Sequence, residues 1–68
     1  MVDLVLLNSK MRDSGMTITA IAEKSGISRE TLYNKMSGSA DFKASEILNL
    51  SNTLRLSASE RDKIFFAE

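Results

Sequence analysis

Ile18-Thr19-Ala20-Ile21-Ala22-Glu23-Lys24-Ser25-Gly26-Ile27-Ser28-Arg29-Glu30-Thr31-Leu32-Tyr33-Asn34-Lys35-Met36-Ser37 holds two short helix-forming runs around a four-residue turn. Thr17 and Ser28 stand where each run needs an N-cap, a hydroxyl that accepts from an otherwise unpartnered amide. Gly26 supplies the left-handed residue that ends the first run. Ala22 is small enough to let two helices approach closely. Alanine, glycine and Leu32 at these spacings specify a crossed pair of helices with one of them presented outward.

Other helices follow on either side. Leu4, Leu7 and Met11 repeat at helical spacing and Gly15 stops them, which predicts a helix over 4–14. Lys10 and Arg12 fall at its C-terminal end, where the dipole favours positive charge. The central runs predict helices over 18–25 and 29–37, and Gly38 to Phe42 reads as a polar loop closed by an aromatic plug. Ile47, Leu50 and Leu54 predict a helix over 44–55. Ser57-Ala58-Ser59-Glu60 is a capping box that opens a last helix over 58–67. No segment alternates long enough for a strand. The fold class is therefore all-α, a compact five-helix single domain over 1–68 with a helix-turn-helix core over 17–37.

Composition narrows the function classes. There is no cysteine and no histidine, so disulfides, thiolate metal sites and imidazole catalysis are absent. The carboxylates are dispersed, no glycine-rich phosphate loop exists, and the serines have no evident base. These features argue against an enzyme, a cofactor, a metal or a small-molecule substrate. The apolar run from Val2 to Leu7 contains Asp3 and is too short to span a bilayer or to serve as a secretory leader. A cytoplasmic protein without a membrane partner is the expectation.

On a wheel of about 100° per residue, Arg29, Tyr33, Ser37, Glu30 and Asn34 share one arc of the third helix. Leu32 and Met36 lie together on its flank. The arc has the chemistry of base-edge recognition. Arginine pairs with guanine, asparagine with adenine, glutamate accepts from cytosine, and tyrosine stacks on a thymine methyl. Thr17 and Ser28 stand at helix N-termini, where free amides favour phosphate. Thr19, Lys35, Ser37, Ser39 and Lys43 complete a set of backbone-contacting candidates. The bland alternative is a solvated helix face. Net charge is zero, unlike many DNA-binding domains. Between residues 24 and 43, however, four bases stand against two acids, whereas from residue 44 onward three bases stand against four acids.

The run Met16-Thr17-Ile18-Thr19-Ala20-Ile21-Ala22-Glu23-Lys24-Ser25-Gly26-Ile27-Ser28-Arg29-Glu30-Thr31-Leu32 resembles the Cro/CI-type helix-turn-helix family, the lambda-repressor-like or XRE group of phage repressors and related bacterial regulators. The likeness continues through Gly38 and the helix bearing Ile47, Leu50 and Leu54, and includes the ending Ile64-Phe65-Phe66. It implies a sequence-specific transcriptional regulator of double-stranded DNA. Arg29, Glu30, Tyr33 and Asn34 would face bases, with Thr17, Ser28 and the loop from Gly38 to Lys43 against phosphate. Two positions depart from the pattern. Ile18 stands where a phosphate-gripping glutamine is common, and Ser25 where a larger apolar residue is usual, so looser packing is expected beside it.

Ile64, Phe65 and Phe66 span about 200° of the last helix, more than one packing face needs. One reading is a frayed tail with a stray aromatic. The other is a homodimer joined through Ile64, Phe65 and Phe66 that meets a palindromic operator, with recognition helices roughly 34–36 Å apart. An alternative for the whole chain is a helix-turn-helix-shaped protein-interaction module, antitoxin-like or regulator-binding, that reads no DNA.

Overall fold

Four of the five helices start where an N-cap side chain satisfies a first-turn amide. In the computed structural model, which describes residues 2–67, Asp3 caps α1 (Leu4–Asp13), its carboxylate accepting from the Leu6 N–H at 3.0 Å. Thr17 caps α2 (Ile18–Ser25) through the Ala20 N–H at 3.1 Å. Ser28 does the same for α3 (Arg29–Met36) through Thr31 at 3.1 Å. At α4 (Ala44–Thr53) Glu46 reaches back to the Lys43 N–H at 2.7 Å. Ser57 and Glu60 form the reciprocal box that opens α5 (Ala58–Phe65). The described residues thus form an all-α helix-turn-helix fold, as the spacing predicts.

Boundaries differ most at α4 and α5, each two residues shorter than predicted, with α5 ending at Phe65. The predicted α4 reaches Arg55, but the observed one ends at Thr53, because Arg55 turns into the left-handed region at φ 54°. Its N–H then donates to the Asn52 carbonyl, and the Leu56 N–H returns to Ser51 at 2.9 Å. Gly26 makes the corresponding turn after α2 at φ 70°, with the Ile27 N–H on the Ala22 carbonyl at 3.0 Å.

One cluster holds the helices together. Leu7, Ile21, Leu32, Leu50 and Ile64, one from each helix, are fully buried, with Met11, Ala22, Ile27 and Phe65 around them. Helix α2 packs on both α3 and α4, while α5 packs on α1 and α4. The small side chains of Ala22 and Ser25 make the inner face of α2 narrow. Ser25 is buried, and its hydroxyl donates to Thr53 Oγ1 on α4 at 3.0 Å. A hydrogen bond between helices thus stands where the resemblance leads one to expect a larger apolar side chain.

The end of α5 corrects the expectation of an outward apolar cluster. Ile64 is sealed in the core, and Phe65 is only 3% exposed. Phe42 meets Phe65 edge-on, with ring centroids 5.5 Å apart, and the Asp3 N–H donates to the Ile64 carbonyl at 2.7 Å. Neither Ile64 nor Phe65 offers a surface to a second copy. Phe66 alone faces outward, 57% exposed. No helix among the described residues is long and apolar enough to cross a membrane.

Candidate nucleic-acid interface

Helix α3 is two turns long and is held from beneath by Leu32, which is wholly buried, and by Met36, which packs against the core. That anchorage turns the opposite face outward. Arg29, Glu30, Tyr33 and Asn34 are all exposed, and together they line one shallow hollow at the surface. The four base-facing candidates therefore lie side by side, as the helical wheel predicts. Tyr33 is 59% exposed, so its ring is free of the core.

The flanking hydroxyls are partly committed. Ser28 accepts from the Thr31 amide, and its hydroxyl proton is directed to Thr31 Oγ1 at 2.7 Å. What the start of α3 offers an anion is therefore chiefly its free first-turn N–H groups. Thr17 is exposed while its oxygen caps α2, and Thr19 is exposed two residues onward, in the first turn of that helix.

Beyond α3 the chain is stapled into a defined loop. Ser37 Oγ donates to the Asn34 carbonyl at 2.7 Å and accepts from Ser39 Oγ at 2.9 Å. The Ser39 N–H donates to the same Asn34 carbonyl at 3.1 Å, and Gly38 takes φ 87°. Ser37, Ser39 and Lys43 are all exposed on this loop.

Lys35 does not join them, and its place among the backbone-contacting residues is corrected. It is 7% exposed, and its Nζ donates to Glu46 Oε1 on α4. The wheel puts it at the far edge of α3, where it meets Glu46 of α4 and borders the loop residues Gly38, Ala40, Asp41 and Phe42. Burial alone would push the Glu46 carboxyl up, but the hydrogen bonds from Lys35 and from the Lys43 N–H, with the charges of both lysines, hold it below the usual carboxylate range.

Arg12, which the sequence marks only as a dipole-complementing base, lines a groove bordered by α1, α2 and α3 together with Asn8, Tyr33 and Ser37. That groove is tertiary, and no local pattern announces it.

Residues 7–39, from the middle of α1 to just past α3, match the model of the helix-turn-helix domain of resolvase. No curated protein and no solved structure matches the chain. The match supports a helix-turn-helix of the DNA-binding kind, and it does not single out the Cro/CI-type family.

Proposed function

We propose that this chain is a sequence-specific regulator of transcription that reads the major groove of double-stranded DNA with α3, in the manner of the Cro/CI-type phage repressors it resembles. The observation that carries the reading is the hollow formed by Arg29, Glu30, Tyr33 and Asn34 on the free face of a short, firmly seated helix. The helix-turn-helix match over residues 7–39 supports it independently. Repression by occupying promoter sequence is the simplest mechanism, since nothing in the chemistry of the chain asks for an effector. Thr17, Thr19, Ser28, Ser37, Ser39 and Lys43 would hold the two phosphate ridges. Binding as a homodimer would match a palindromic site, and Phe66 is the part of the last helix left to join two copies.

Selection of bound duplexes from a random pool tests this directly. The expected result is an enriched palindrome with half-sites about one helical turn apart. Arg29→Ala should then cost roughly 1–3 kcal/mol and relax preference at a single base pair. A uniform loss over all sequences would reduce Arg29 to a phosphate contact, and no enrichment would sink the reading. Zero net charge and the exposed Phe66 favour a second reading, a protein-interaction module. Affinity for duplex should fall steeply with salt under the first reading, with a log–log slope of about −0.9 per phosphate neutralised. Under the second, duplex would produce no such response.

A further inference from the structure

Three side-chain hydrogen bonds join one helix to another among the described residues: Lys10 to Glu60, Ser25 to Thr53 and Lys35 to Glu46. Only the last leaves α3. Its side chains are both largely removed from water, at 8% exposure for Lys35 and 14% for Glu46. Stability alone is a poor reason for such a pair, because well-packed apolar residues often do as well or better in its place. Its geometry suggests a different role. A single carboxylate oxygen, Glu46 Oε1, receives both the Lys35 ammonium and the Lys43 N–H. Lys35 follows Asn34 on α3, and Lys43 is the last residue of the loop and the N-cap of α4. One acceptor thus fixes the end of the exposed helix, the end of the loop and the start of the next helix relative to one another. Lys35 also lines the small hollow beneath the loop, with Gly38, Ala40, Asp41 and Phe42. Without this tie, α3 keeps its seating on Leu32, Met36 and α2, but no side-chain hydrogen bond among the described residues joins it to α4.

We infer that Lys35 and Glu46 are positioning residues: their pair sets the angle between the base-facing side chains of α3 and the backbone-facing loop, while touching no DNA itself. This rests on the DNA-binding reading above. It makes Lys35 a determinant of specificity although it is a buried base on a recognition helix, where a phosphate contact is the ordinary assumption.

The test uses the double variant Lys35→Met/Glu46→Gln. Methionine keeps the apolar stem, and glutamine keeps an oxygen for the Lys43 N–H, so no unpaired charge is left inside. Binding is measured to the selected duplex and to an unrelated duplex over a series of salt concentrations. The expected result is a loss of about tenfold in the ratio of specific to non-specific affinity, the size of a one-base-pair mismatch. The salt slope should stay unchanged. A slope reduced by about 0.9 would make Lys35 a phosphate contact and overturn the proposal. So would an unchanged affinity ratio. Amide hydrogen exchange on the free protein supplies the second readout. The Gly38 and Ser39 N–H groups, bonded to the Lys35 and Asn34 carbonyls, should exchange several-fold faster in the variant. Wild-type rates there would also overturn it. Were the wild-type chain to bind no duplex, the functional reading would fall, and exchange at these two amides would still decide whether the pair positions the loop.

Discussion

Two residues with the same backbone conformation have opposite consequences. Gly26 and Arg55 both enter the left-handed region to end a helix, at φ 70° and φ 54°. A Cβ at Gly26 would meet nothing within 4 Å, so Gly26→Ala isolates the conformational cost. It should destabilise the fold by about 1–2 kcal/mol. Arg55 already bears that strain on an exposed surface position, and Arg55→Gly should stabilise by about 1 kcal/mol. Urea denaturation of the two variants measures both signs. The contrast also shows why one turn could be read and the other could not. Glycine announces a left-handed residue, whereas nothing about an arginine does, and so the predicted α4 ran two residues too far. The shared exposed face of the four proposed base contacts was legible for a related reason. Arg29, Glu30, Tyr33 and Asn34 depend only on helical periodicity and on which side of α3 carries Leu32.

Between helices, legibility fails where partners are remote in sequence. The Ser57–Glu60 box is local and readable, but Lys10, which donates to Glu60 at 2.5 Å, lies 50 residues away. The Lys10 hydrogen bond, aided by the Ser57 N–H and hydroxyl and by the lysine's charge, takes the Glu60 carboxyl down to about 2, and Glu60 raises Lys10 in turn. The folded value lies below the ordinary 4.5, so the contribution is fully present above that pH. It fades as the pH drops toward about 2, where the folded carboxylate takes up its proton. Thermal melts at falling pH should lose stability across this interval, and Glu60→Gln should flatten the dependence there. An identical slope in the variant would show that other carboxylates set the acid limit. The same remoteness hid the fate of Phe65. A wheel shows that Ile64, Phe65 and Phe66 cover too much of α5 for one face, but not that Phe42 arrives to cover a second. Lys35 differs from its expected place for the same reason, since its position on α3 is periodic and its partner, Glu46, is tertiary.

Taken whole, the molecule is a neutral body of about 28 × 24 × 20 Å with the proposed base-facing residues on one exposed helix face. With charges balanced, long-range attraction to nucleic acid is weak, and contact geometry must supply most of the discrimination. This increases the importance of holding α3 and its loop in a fixed relation. It also has a practical consequence. The chain contains one tyrosine and no tryptophan, and that tyrosine is Tyr33, 59% exposed on the proposed reading face. Its near-ultraviolet fluorescence therefore originates at the surface where a base would stack. Titration with the selected duplex should quench that emission in proportion to occupancy, without any dye or introduced fluorophore. Emission unaltered at saturation would mean that the ring stays in water while the complex forms elsewhere.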